Sequence, residues 1–227
     1  MLNKQGTVLR NEGVYMKALI IANGHMESLE ELEKLVRQHQ LIICADGAVR
    51  HFRQVGKKPD VVVGDLDSID QDDLEWVVEN NITIERHERR KDYTDTEMAI
   101  QYAVRQGVKQ ITMTGMLGGR LDHTLGNLYL LEYIHDQSIA AAISEKSTEV
   151  RIVDNRLDTD WIVGETVSLV PLDLHVSGVF LTGFEYKLEN ATVNRGGTLC
   201  LSNVVNEPSQ QVLVKSGRLL AIRNKKQ

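Results

Sequence analysis

The sequence is poor in the residues that mark out specialised classes of protein. Its 227 residues hold two cysteines, Cys44 and Cys200, far apart and each among apolar neighbours. That excludes a disulfide framework and any CxxC-type metal centre, and points to buried thiols in a reducing cytoplasm. Three prolines and the lack of a low-complexity tract exclude collagenous chains. No apolar run approaches the roughly 18 residues that a spanning helix needs. The longest clean stretches, such as Ala18 to Ala22, are strand-sized, so the chain reads as soluble with no membrane partner. Positive charge is scarce as well: 26 Lys plus Arg stand against 32 Asp plus Glu, a net charge of −6. The tail Arg223 to Lys226 is too short for the clustered positive field that a phosphate backbone requires, so nucleic acid is not expected as a partner.

What is present is a pattern. Residues 1–15 show neither a signal-peptide core nor helical periodicity and read as a disordered leader, with Met16 opening onto a strand-like run. From there to about Glu145, strand-like runs alternate with segments of helical period. The strands are expected at Ala18–Ala22, Leu41–Ala45, Val61–Val63, Ile82–Glu85, Gln110–Thr114 and Ile139–Ile143. The helices are expected at Ser28–His39, Ala48–Val55, Asp72–Glu79, Asp95–Gln106 and Asp122–Asp136, the last with Leu125, Leu128, Leu131 and Ile134 as a core-facing stripe. Such alternation implies a mainly parallel, Rossmann-like α/β domain over 16–145. After about Lys146 no convincing helix occurs. Seven short runs, at Glu149–Val153, Thr166–Val170, His175–Leu181, Ala191–Asn194, Thr198–Ser202, Gln211–Lys215 and Arg218–Ile222, imply an all-β sandwich or barrel over 146–227.

In an open α/β sheet, ligands bind beyond the carboxyl ends of the strands. The residues just after each strand are therefore informative. Asn23-Gly24 comes after the first, Asp46-Gly47 after the second, Gly64-Asp65-Leu66-Asp67-Ser68 after the third, and Gly115 to His123 after the fifth, while the loop after the fourth carries Arg89 to Asp95. Singly, each has an ordinary explanation. Ser68 with Gln71, and Thr94 with Glu97, read as capping boxes, and Asp122 complements a helix dipole. Together, Asp46, Asp65, Asp67, Asp95 and Asp122 would repel one another unless a cation joined them. Asp65 and Asp67 can share a hard metal, and Mg2+ fits best, completing its shell with phosphate oxygens. Gly115, Gly118 and Gly119 would let backbone approach an anion, with Arg120 to neutralise it. That describes a Mg2+–nucleotide site for phosphoryl-type transfer. Neither the G-x-x-x-x-G-K-[ST] phosphate loop nor the G-x-G-x-x-G fingerprint occurs. A haloacid-dehalogenase-like phosphatase remains an alternative, since Val61 to Ile69 is similar to its DxD strand, although that family places the motif on its first strand. A non-catalytic sensor of a small molecule or a nucleotide is another.

Four segments in order, Ala45-Asp46-Gly47-Ala48, Gly64-Asp65-Leu66-Asp67-Ser68, Lys91-Asp92-Tyr93-Thr94-Asp95 and Gly118-Gly119-Arg120-Leu121-Asp122-His123, resemble the signatures of the thiamine pyrophosphokinase family. The resemblance runs from Met16 to the C-terminus, through Gly183-Phe184-Glu185-Tyr186 and Ser202-Asn203. It implies a homodimer with active sites between subunits, which moves the terminal diphosphate of ATP to thiamine and releases AMP. It also implies catalytic roles for Asp46, Asp65, Asp67, Asp95, Asp122 and Arg120, with Mg2+ on Asp65, Asp67 and Asp95. Asn23, Gly24, Asp92, Thr94, Gly115, Gly118, Gly119, His123 and Asn127 are the matching candidates around ATP. Tyr186, Ser202 and Asn203 are those around thiamine. Asn127 is also placed to hold the glycine loop. An acidic, partly aromatic cleft suits a thiazolium cation.

Overall fold

The computed structural model describes residues 15–86 and 93–226. Asp92, the cluster Arg89 to Lys91 and the leader through residue 14 lie outside the described residues. Six strands form the first part: β1 (Lys17–Ile21), β2 (Leu41–Ala45), β3 (Val61–Gly64), β4 (Thr83–Arg86), β5 (Gln110–Thr114) and β6 (Ala140–Ser144). They pair in parallel in the order β6-β5-β1-β2-β3-β4. β1, β2 and β3 are buried on both faces along almost their whole length, which is why they read as continuous apolar runs. Leu19 and Ile21 point to one core, with Ile42, Val62 and Phe52. Ala18 and Ile20 point to the other, with Ile43, Met98, Ile111 and Leu131.

The helices are α1 (Leu29–Gln38), α2 (Val49–Val55), α3 (Gln71–Glu79), α4 (Asp95–Arg105) and α5 (Leu121–Asp136). Ser28 and Thr94 cap α1 and α4, their hydroxyls accepting from the N–H groups of Glu31 and Glu97 at 3.3 and 3.2 Å. The capping box expected at Ser68 does not form. Asp70 occupies the N-cap of α3, because Ser68 is turned towards Asp46. On α5 the core stripe shortens: Leu131 and Ile134 are buried, whereas Leu125 is 47% exposed.

The remaining strands are β7 (Thr148–Val153), β8 (Arg156–Thr159), β9 (Thr166–Pro171), β10 (His175–Thr182), β11 (Leu188–Asn194), β12 (Asn203–Val204), β13 (Gln210–Leu213) and β14 (Leu219–Asn224). Four of them extend the first sheet, since β7 pairs antiparallel with β6 and is followed by β14, β9 and β12. The other four form an antiparallel sheet, β11-β10-β13-β8, packed on that extension over Trp161, Phe184, Val179 and Val212. The chain is therefore a mixed α/β fold with a C-terminal antiparallel sheet, and its ten-stranded sheet runs without interruption through both parts. Two expectations fail locally. Thr198–Ser202 is a turn, with Cys200 and Ser202 at φ of 74° and 56°. Arg156–Thr159, polar and on an edge, is a strand. The basic tail is folded in: Arg223 pairs with buried Glu165 at 2.6 and 3.0 Å and lies over the Trp161 ring. Cys44 is buried and Cys200 half-buried. Among the described residues, no helix is long and apolar enough to cross a membrane.

Candidate active site

After β4 the chain crosses back to place β5 on the far side of β1, so loops leaving β1 and β5 part in opposite directions. Such a switch point opens a crevice at the carboxyl edge of the sheet. Gly24 and Gly115 meet there: Gly24 N–H donates to the Gly115 carbonyl at 3.0 Å, too close for a side chain on Gly24. Gly115 itself, at φ +69°, lies against the Ala22 carbonyl.

Asp46 leaves β2 in the left-handed region, φ 43°, and is only 2% exposed. Its Oδ2 accepts from the Ser68 N–H at 3.2 Å and from the Ser68 hydroxyl. Its Oδ1 is buried and has no hydrogen-bond donor among the described residues. A buried carboxylate oxygen is costly to leave bare, so it calls for a partner. Asp65 and Asp67 stand beside it. The Asp67 N–H closes on Asp65 Oδ1 at 3.1 Å, a turn that Leu66 permits at φ 70°. Carboxylate oxygens of Asp46, Asp65 and Asp67 lie within 4.8 Å of one another. A hard divalent ion fits this set of three carboxylates, the innermost buried with one oxygen lacking a donor and the outer two more open to water or phosphate. Asp95, at the start of α4, faces the same point. A methyl placed on Gly64 would sit 3.2 Å from both Asp95 Oδ1 and Asp46 Oδ1.

Asp122 lies outside that set. Arg120 grips it with two bonds, of 3.1 and 2.6 Å, and the guanidinium holds the Asp122 carboxyl down at about 2. Both side chains are exposed. Arg120 must exchange this partner to reach a phosphate. Asp122, His123, Asn127 and Thr94 line a cavity of about 190 Å³ between the first turns of α4 and α5. Gly118 and Gly119, at φ 86° and 75°, have none of the described residues within 4 Å of where a side chain would begin. Asn127 donates to the Met116 carbonyl at 2.8 Å and so holds the glycine loop. Asn23 abuts Gly47 through its amide, while its carbonyl accepts from Arg50.

One residue escaped the sequence reading. Glu145, 3% exposed, receives four donors from the start of the β5–α5 loop. The available signal was an acid directly after the apolar strand β6, at the same sheet edge. The N–H groups of Gly115, Met116 and Leu117 are thereby taken.

The candidates of the second half lie elsewhere. Tyr186 is 63% exposed in the β10–β11 loop. Asn203, 4% exposed, brackets the Tyr186 backbone, accepting from its N–H at 3.0 Å and donating to its carbonyl at 2.8 Å. The Ser202 N–H donates to Ser168 Oγ. Seven inter-strand steps separate β2 from β12, roughly 34 Å along the sheet at about 4.8 Å each. One chain does not bring Tyr186 to Asp46.

A mainly parallel sheet with three carboxylates gathered at its switch point defines an α/β protein with a candidate cation site. Residues 32–143 match the family model described as thiamin pyrophosphokinase, catalytic domain, and residues 149–219 match that of its vitamin B1 binding domain. The chain belongs to the thiamine pyrophosphokinase family. Thiamine pyrophosphokinase of Bacillus subtilis is 27% identical over 207 residues, covering 90% of this chain and 97% of that protein. Thiamine pyrophosphokinase 1 of Arabidopsis thaliana is 28% identical over 234 residues, covering 92% and 86%. Crystal structures of the Bacillus subtilis enzyme (TM-score 0.85, 26% identity, 93% of this chain and 100% of that one) and of its Geobacillus thermodenitrificans counterpart (0.83, 28%, 93% and 98%) share the fold.

Proposed function

We propose that this chain is a thiamine diphosphokinase: the hydroxyethyl oxygen of thiamine attacks the β-phosphorus of ATP, the bond from that phosphorus to the AMP oxygen breaks, and thiamine diphosphate and AMP leave. The observation that carries the reading is the clustering of the Asp46, Asp65 and Asp67 carboxylates at the switch point, with Asp46 Oδ1 buried and without a donor among the described residues. Asp46, Asp65 and Asp67 would hold Mg2+, with Asp95 across Gly64 as a further ligand. When bound, the ion neutralises the phosphates and draws charge from the leaving oxygen. Gly118 and Gly119 offer N–H groups to the triphosphate, and Arg120, released from Asp122, adds a mobile cation. Asp95 or Asp46 accepts the hydroxyl proton. Catalysis is then alignment and charge stabilisation.

Thiamine would be bound against Tyr186 with Ser202 and Asn203 close by, which requires a second copy of the chain, since these residues and the acids sit about 34 Å apart along one sheet. Leu121, Leu125 and Tyr129 support a homodimer: they form an exposed apolar stripe on α5 beside the acids, a surface of the kind that subunits cover. The free thiols suit a reducing cytoplasm. The phosphatase alternative is dropped, because the Asp65–Asp67 pair comes after β3 and both family models point elsewhere.

Product analysis by chromatography tests the reading. Mg2+, ATP and thiamine should yield AMP and thiamine diphosphate. Accumulation of ADP and thiamine monophosphate overturns attack at the β-phosphorus, and saturable binding without turnover makes the protein a sensor.

A further inference from the structure

The glycine turn that carries Gly118, Gly119 and Arg120 hangs from a short root at residues 115–117, and what fixes that root is a carboxylate from another strand end. Glu145 Oε2 accepts from Thr114 Oγ1 at 2.9 Å and from the Gly115 N–H at 3.1 Å. Oε1 accepts from the N–H groups of Met116 and Leu117 at 2.8 and 3.4 Å. Three successive backbone N–H groups wrapped on one anion form a nest of the kind that elsewhere holds a phosphate. Here the protein supplies the anion itself. The other end of the root is held as well, because the Met116 carbonyl accepts from Asn127 on α5. Glu145 is in turn placed by the β6–β7 turn, where its N–H donates to the Thr148 carbonyl at 2.8 Å and its own carbonyl accepts from Lys225 Nζ at 2.6 Å. Beyond the root, nothing among the described residues lies within 4 Å of the positions that side chains on Gly118 and Gly119 would occupy.

We infer that Glu145 is a positioning residue for nucleotide binding: by filling the first nest it sets the path of the loop and confines the triphosphate to the next N–H groups, those of Gly118 and Gly119. The inference rests on the reading that this turn receives ATP. A carboxylate is required, because all four groups it meets are donors. An amide in its place turns an NH2 towards some of them, and those donors lose their acceptor while buried. Glu145 touches neither reacting centre, so its effect reaches the reaction only through the loop.

Glu145→Gln tests this in the full-length protein. Amide hydrogen exchange at 115–117 should speed at least tenfold, and the affinity for a non-hydrolysable ATP analogue with Mg2+, read by calorimetry, should fall about tenfold. KM for thiamine should stay within twofold of wild type. Faster exchange with unchanged analogue affinity overturns the inference and leaves Glu145 as a structural clasp. An equal loss towards both substrates overturns it too, as general damage. Should Glu145→Gln not fold, Thr114→Val removes a single donor from the same carboxylate. It should weaken the analogue two- to threefold with thiamine unaffected, and wild-type affinity there overturns the inference. The two readings fail separately: wild-type protein that binds no analogue refutes the nucleotide site, whereas wild-type binding with no change in either variant refutes the role of Glu145.

Discussion

Asp46→Asn separates two roles combined in one side chain. Asparagine keeps an oxygen for Ser68, which Oδ2 now serves, and deletes one of three charges lying within 4.8 Å. At that separation a pair of carboxylates repels by about 3.5 kcal/mol at an effective dielectric near 20, and by about 1 kcal/mol in bulk water. Two such pairs vanish on substitution. Asp65 is half-buried and Asp67 exposed, so the relief falls towards the watery limit, about 2 kcal/mol in all. In EDTA the variant should therefore unfold higher than wild type by about 4–8 °C, at about 2–4 °C per kcal/mol for a chain of this size. Mg2+ at a hundredfold excess over its dissociation constant stabilises a binding fold by about 2.7 kcal/mol, about 5–11 °C here, and the variant should lose most of that gain. The two proteins then exchange rank as Mg2+ is added, which scanning fluorimetry along a Mg2+ series reads without substrate or turnover. A variant that is less stable than wild type in EDTA, yet gains as much from Mg2+, would refute the metal assignment and leave Asp46 as a clamp for Ser68.

Gly64→Ala should disturb the same point from the backbone side. Its φ of +156° is strained for alanine, and the new methyl would meet Asp46 Cβ at 3.0 Å and both Asp46 and Asp95 carboxylates at 3.2 Å. The backbone cost is about 1–3 kcal/mol, so the unfolding midpoint should drop by about 2–12 °C. Turnover measured well below that midpoint should still fall more than tenfold; wild-type turnover would mean that Asp46 and Asp95 need not keep their spacing. Subunit mixing tests the shared site. Asp65→Asn chains and Tyr186→Ala/Asn203→Ala chains, each inactive as a homodimer, should recover about a quarter of wild-type turnover when refolded together, since half the dimers then carry one intact site of two. No recovery from well-formed mixed dimers places each site within one chain.

Much of this was readable from residues because burial on both faces writes a strand as an unbroken apolar run. β1, β2 and β3 declare themselves in this way, and the carboxylates emerge from reading the next residues in a parallel sheet. Polar edges leave no such trace. Arg156–Thr159 pairs with β13 at the border of the second sheet, and only Leu157 and Thr159 turn inward. Thr198–Ser202 shows the reverse error. Its alternation looks extended, but Leu199 and Leu201 are exposed in a turn that two left-handed residues create. Long-range partners are the hardest to foresee: Ser68 has a local helix to cap and instead serves a carboxylate 22 residues away, and Glu145 meets its donors about 30 residues back. A single acid after a strand looks like any other acid until the loop that needs it has been folded. The change of pattern near Ser144 to Ser147 marks a hairpin between β6 and β7, which pair antiparallel across it.

That hairpin has a bearing on heredity and on motion. Where two parts of a protein are tethered by a linker, genes can trade them as cassettes and the parts can swing about the joint. Here a cut near residue 146 would strip β6 of the neighbour that pairs with it and expose a raw sheet edge, a template for aggregation. The two parts are therefore joined through main-chain pairing between neighbouring strands rather than by a tether.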